Sequence, residues 1–215
     1  MNTRTRKITA VAMLCAVAYV VMAVGRIPIV LFLKYDPKDV IIAIGGFIFG
    51  PLTSFVISFV VSIVEMLTVS DTGPIGLVMN IISSCSFACT AAVIYKNNRK
   101  LSGAVTGLVA GCILMTAVML LWNYLITPLY LEYPREAVVK LLFPAFLPFN
   151  LLKGGLNTAI TLLLYKPVVT ALRRTKLVDV AEGKMDKHKR IGTALVALLL
   201  LATCIFLVLV WKGIL

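Results

Sequence analysis

The sequence predicts an all-α integral membrane protein: a six-helix bundle followed by one additional transmembrane helix. Three observations carry this. Hydrophobic residues fill 60% of the 215 positions and charged residues only 14%, against about 45–50% and about 25% in soluble domains. Apolar runs recur along the chain, each near the ~20 residues that a membrane-crossing helix needs. The basic residues concentrate in every other connection, as alternating passes require. The composition excludes a disordered chain, a collagen-like fibre and a disulfide-framed secreted module, and it argues against a water-soluble enzyme. The formal charge of +12 would suggest nucleic acid in a soluble protein. Here it belongs to topology, and no nucleic-acid partner is expected.

In chain order, the apolar runs are 8–25, 52–69, 74–95, 103–126, 141–165 and 191–211. The first follows Arg4, Arg6 and Lys7, but its core is long and Ala23-Val24-Gly25 is a poor cleavage signal, so it reads as a retained helix. A shorter piece, 40–49, ends at Gly50-Pro51. It reads as a helix that starts in the outer interface, near Asp36. Counting it gives six helices up to residue 172, a basic linker over 173–190 and a seventh helix within 191–215. With the N-terminus inside, fourteen of the 21 Lys and Arg fall on the inner side, six on the outer side, and Lys153 lies within a helix. That asymmetry places the N-terminus in the cytoplasm. Omitting the 40–49 helix would break the alternation. The two long outer connections are then 26–39 and 127–140. The stretch Ile27–Leu33 is too apolar for a free loop and is expected to pack back onto the bundle as a lid.

Polar residues inside a bundle need a reason, since a mid-helix Lys costs roughly 2.5–3.5 kcal/mol on insertion scales. At 100° per residue, Asn150, Lys153 and Asn157 fall within about 60° of one face, which must turn inward. Asn123, near the outer end of the fifth helix, and Asn80, early in the fourth, lie at similar depth. Together they predict a cavity that opens outward, walled by amides and one ammonium. An amide both donates and accepts, so this wall can read an imide edge or a polyol without adding charge. The other reading is a snorkelling Lys with structural Asn contacts between helices. No nucleophile–base pair or carboxylate dyad accompanies the set, so it suggests binding rather than catalysis.

Glu65 shares a face with Ser54, Ser58 and Ser62. That stripe reads first as helix packing near the outer interface, although a pairing of Glu65 with Lys153 is open. Gly103, Gly107 and Gly111 mark close helix approach within the bundle. Ala12 and Ala16 mark it on the first helix, against an internal neighbour or another membrane subunit. The five cysteines all sit in apolar runs, and Cys85 and Cys89 have no nearby His or carboxylate in sequence to make a metal site. No G-x-x-x-x-G-K-[ST] occurs, so this chain carries no P-loop. Energy for uphill movement would have to come from a partner or an ion.

Four blocks in order then carry a resemblance. They are Tyr35-Asp36-Pro37-Lys38-Asp39, Gly46-Phe47-Ile48-Phe49-Gly50-Pro51, Trp122-Asn123-Tyr124 with Pro128-Leu129-Tyr130, and Pro148-Phe149-Asn150-Leu151-Leu152-Lys153-Gly154. With Ala12-x-x-x-Ala16 they span residues 8 to about 172. The chain resembles the substrate-binding S-components of energy-coupling factor (ECF) vitamin transporters, in their riboflavin-binding branch. The resemblance implies a six-helix bundle with a vitamin pocket open to the outside and the first loop as its lid. It carries Asn123, Asn150 and Lys153 over as ligand contacts, and Ala12 and Ala16 as the face toward a transmembrane coupling subunit. Two cytoplasmic ATP-binding subunits complete such a transporter, and the whole S-component topples in the membrane to release its vitamin inside. It also implies a prokaryotic cell membrane, no cofactor, and riboflavin as the transported ligand. Riboflavin is neutral, planar and amphipathic, so its ring needs apolar walls beside hydrogen-bonding groups. Leu33, Tyr35, Met79 and Trp122 are candidate wall residues, with Lys34 in the lid beside them.

Two competing readings stay open at this point. One is an S-component for another vitamin such as thiamine, whose cation Lys153 would repel. The other is a membrane enzyme or structural helper subunit, for which paired acids or an intramembrane His would be expected in the first case and no amide wall in the second. The seventh helix lies outside the resemblance and is expected to pack away from the first helix.

Overall fold

A computed structural model describes residues 3–30, 33–70, 72–130, 134–174 and 187–211. Among these, six helical stretches are long and apolar enough to cross a membrane. The first is α1 (Thr3–Gly25), and α3 (Pro51–Thr68) is the second. The third joins α4 (Gly73–Ser84) to α5 (Thr90–Asn97) through one π-helical turn at Cys85–Cys89. The fourth is α6 (Leu101–Tyr130). The fifth joins α7 (Arg135–Leu141) to α8 (Leu147–Arg174) through a second π-turn at Leu142–Phe146. The sixth is α9 (Lys187–Trp211).

Between α1 and α3 lies α2 (Lys38–Phe49), apolar on all sides after its first two residues and buried from Lys38 to Phe47. Twelve residues reach about 18 Å, short of the roughly 30 Å hydrocarbon core. Its first turn is inside the bundle, with Lys38 and Asp39 fully buried. Gly50 ends it at φ +99°, a left-handed backbone that suits glycine. Pro51 then starts α3, where its missing N–H costs nothing. Gly46 lets α2 touch its neighbours, since a Cβ there would collide with Ser54 Oγ and lie 2.8 Å from the Ala92 Cβ.

The segment after α1 is not helical. It forms an antiparallel hairpin of β1 (Ile27–Val30) and β2 (Leu33–Tyr35), the one strand pair among the described residues of an otherwise helical chain. It folds back on the bundle as expected, with Tyr35 buried. The long outer connection expected over 127–140 is corrected. Helix α6 continues through Pro128 to Tyr130, and α7 restarts at Arg135. Near a helix end, Pro forfeits a backbone bond without breaking the helix path, and the Arg135 guanidinium sits 5.5 Å over the Tyr124 ring.

The glycine stripe on α6 packs inside the bundle. A Cβ on Gly107 would lie 2.7 Å from the Ala91 carbonyl oxygen, and one on Gly111 would strike the Phe87 carbonyl. All five cysteines are free thiols. No metal-ligating cluster is present among the described residues. Ala12 and Ala16 lie on the exposed side of α1, beside exposed Met13 and Val17. Helix α9 packs along α8, and most of the linker expected over 173–190 lies outside the described residues.

Candidate functional site

One cavity of about 260 Å³ lies under the hairpin, between α3, α4, α6 and α8. Helical periodicity explains its walls. On α8, Asn150 and Lys153 are one turn apart and both face inward, at 2% and 7% exposure, so the predicted face does turn from lipid. On α6, Met119, Trp122, Asn123 and Thr127 follow the 3–4 residue spacing of one helix face. On α4, Gly76, Met79, Asn80 and Ser83 do the same. The hairpin contributes Leu33 and Lys34, and Phe149 adds an aromatic side. Eight of the sequence-predicted residues therefore line one space: Asn80, Asn123, Asn150, Lys153, Leu33, Lys34, Met79 and Trp122.

Two do not. Tyr35 and Asn157 form a buried pair off the cavity, the Tyr35 hydroxyl donating to Asn157 Oδ1 at 3.0 Å. Burial first, then the Asp39 and Asp36 charges, push the Tyr35 hydroxyl well above its ordinary range, so it stays protonated and remains a donor. Asn157 in turn donates to Asp39 at 3.3 Å. The predicted face of α8 is real, but its lower turn ties the hairpin to α2. A helix face is longer than the cavity it borders.

The amides are held by their own helices. Asn123 Nδ2 donates to the Met119 carbonyl at 2.7 Å, and Asn123 Oδ1 accepts from the Thr127 hydroxyl at 2.9 Å. Asn150 Nδ2 donates to the Phe146 carbonyl at 2.8 Å, inside the π-turn that precedes α8. These bonds fix each amide plane before any ligand arrives, which lowers the ordering cost of binding.

Arg26, Asp36, Glu65 and Lys153 of the cavity lining belong to an ionic network that sequence reasoning missed. Arg26, assigned above to the outer loop, contacts Asp36 at 2.7 Å and also Glu65. Lys38, assigned there too, is fully buried against Glu65, with Asp36 at 3.9 Å. Lys153 contacts Asp39 at 3.3 Å and Ser83 at 3.3 Å. Ser84 also donates to Asp39. Glu65 thus pairs with Arg26 and Lys38 rather than with Lys153; it bridges a cation just before the hairpin and one at the start of α2. Arg26, Lys38 and Lys153 balance Asp36, Asp39 and Glu65. Buried charges survive only when so paired. The sequence-based objection that Lys153 would repel a cationic ligand weakens accordingly, because Asp39 compensates it. Long-range pairing has no local signature, so only the alternation of signs in Asp36-Pro37-Lys38-Asp39 hinted at it. Ser83 and Thr127, by contrast, were reachable by extending the Asn80 and Asn123 faces one turn.

Comparisons with known proteins bear on the family and the fold. A family model described as the ECF transporter substrate-specific component matches residues 6–165. The chain is 29% identical over 180 residues to the riboflavin transporter RibU of Staphylococcus aureus (strain TCH60), covering 80% of this chain and 94% of that one. It is 30% identical over 182 residues to the riboflavin transporter RibU of Streptococcus thermophilus, covering 79% and 86%. It is 28% identical over 175 residues to the riboflavin transporter FmnP of Bacillus subtilis (strain 168), covering 75% and 91%. A solved structure of the S component of a bacterial ECF transporter superimposes with a TM-score of 0.65 at 29% identity, covering 79% of this chain and 98% of that one.

Proposed function

The chain belongs to the family of ECF transporter substrate-specific components, and from that premise we propose that it binds riboflavin in the cavity under the hairpin and delivers it across the membrane. One observation carries the choice of ligand: fixed amides stand beside apolar and aromatic walls and ion pairs that balance to no net charge. A neutral, planar, amphipathic molecule suits such a site, its ring against Leu33, Met79, Trp122 and Phe149 and its polar edge on Asn123, Asn150 and Lys153. Asn80 supplies a further amide for the ribityl chain. Relatives at 28–30% identity named as riboflavin transporters support the same reading. A ligand with a fixed positive charge would need an unpaired carboxylate, and Asp36, Asp39 and Glu65 are each engaged.

The chain resides in a membrane, and its family is one of transporters, not enzymes. In the proposed assembly, the exposed Ala12/Ala16 side of α1 meets a transmembrane coupling subunit, and two ATP-binding subunits supply the energy. The N-terminus is cytoplasmic and the cavity faces the exterior of a bacterial cell. Release follows from toppling of the whole bundle.

The test is direct. Protein purified in detergent should carry a yellow, flavin-absorbing ligand or quench added riboflavin. Asn150→Ala and Asn123→Ala should each weaken binding by about 5- to 150-fold, the equivalent of roughly 1–3 kcal/mol for a lost buried hydrogen bond. Wild-type affinity in both variants would remove this site.

A further inference from the structure

Helix α9 lies beyond the family match, which ends at residue 165, yet it is not a detached anchor. Its inward residues Ala197, Leu201, Cys204 and Val208 recur at spacings of four, three and four, the period of one packing stripe on a helix. Ala197 and Cys204 are buried, whereas Leu195, Leu199 and Phe206 on the other side are exposed. The stripe meets α8 closely: a Cβ on Gly155 would lie 3.2 Å from Cys204 Sγ.

The same stripe also reaches the hairpin. Tyr35, Leu152, Leu156 and Cys204 form one buried apolar cluster, separate from the main core. Ile29 of β1 and Leu200, Leu201 and Val208 of α9 pack against it, and β1 touches α9 directly. The hairpin is therefore held from two sides. Its charged side is tied to α3 by Arg26 and Glu65. Its apolar side rests on α8 and α9 through Ile29 and Tyr35.

We infer that α9 is a positioning element for the hairpin: Leu201, Cys204 and Val208 hold Ile29 and Tyr35 in place, keep the cavity covered and slow the escape of its ligand. The effect on ligand escape rests on the flavin reading of the cavity; the effect on the hairpin does not. A two-stranded hairpin is marginal by itself, so apolar backing governs how often it opens. Opening frees the ligand, so loss of that backing appears in the dissociation rate.

The experiment uses the full chain in lipid nanodiscs, with Leu201→Ala, Val208→Ala and the conservative Leu201→Met. Lipid-side Leu195→Ala and Leu199→Ala serve as controls. Hydrogen–deuterium exchange of the backbone at 27–30 and 33–35 is followed without ligand, and riboflavin release is timed by the return of flavin fluorescence. Leu201→Ala and Val208→Ala should speed both hairpin exchange and release by about three- to tenfold, and Leu201→Met should restore them. The controls should change neither. Unaltered hairpin exchange in both alanine variants, or equal acceleration by the lipid-side controls, overturns the inference. A wild-type protein that binds no riboflavin overturns the flavin reading alone, because exchange in the ligand-free protein still reports on α9.

Discussion

The two ends of α2 contrast in kind. At its start, Lys38 and Asp39 enter a buried set of ion pairs that reaches the hairpin, α3 and α8, and an open cavity lies beside it. At its end, Phe47 packs 4.5 Å from the Tyr95 ring and 5.8 Å from the Tyr165 ring, with the two tyrosine hydroxyls 3.1 Å apart. One end is polar and leaves room; the other is aromatic and filled. A short helix thus separates an end beside a cavity from an end packed with aromatic rings.

Three substitutions test that contrast, in decreasing order of effect. Glu65→Ala removes the carboxylate shared by Arg26 and Lys38. Breaking a buried pair while leaving its partner costs about 3–5 kcal/mol, so a large drop in melting temperature in detergent is expected, with loss of the hairpin's anchorage. A wild-type melt would show that the ions beside the cavity do not hold that end together. Gly46→Ala attacks the aromatic end, where the new methyl meets Ser54 Oγ and Ala92. Overpacking of this kind costs about 1–3 kcal/mol; the protein should melt earlier, while its folded fraction keeps its riboflavin affinity in equilibrium titration. An affinity loss as large as that of Asn150→Ala would mean that the two ends are not independent. Tyr165→Phe deletes the bond between the two hydroxyls. It should cost about 0.5–1.5 kcal/mol in thermal unfolding and leave flavin titrations unchanged.

The cavity walls were more legible in the sequence than its ion pairs. Asn150 and Lys153 were found because a membrane helix tolerates such residues only when they face inward, and the angle between them follows from helix geometry alone. Asn80 and Asn123 followed from the same rule. Tyr35 and Asn157 were read to the correct side of the bundle but to the wrong task, since periodicity fixes a direction and not the distance to a ligand. Arg26, Lys38 and Asp39 fall in the outer connection 26–39 of the sequence reading, which rests on the alternation of basic residues between connections. Their burial depends on Glu65, 39 and 27 residues from Arg26 and Lys38 respectively, and on Lys153, and no local pattern encodes a partner that far along the chain.

By itself, then, the sequence determined a membrane bundle, its apolar spans and the inward faces of its helices, because lipid penalises exposed polar groups position by position. Tertiary structure alone decided which charges neutralise one another, that the segment after α1 closes as a hairpin, and that α9 backs it through Ile29 and Tyr35. Those outcomes are set by contacts between residues distant in the chain, whose energies exist only once the helices have packed.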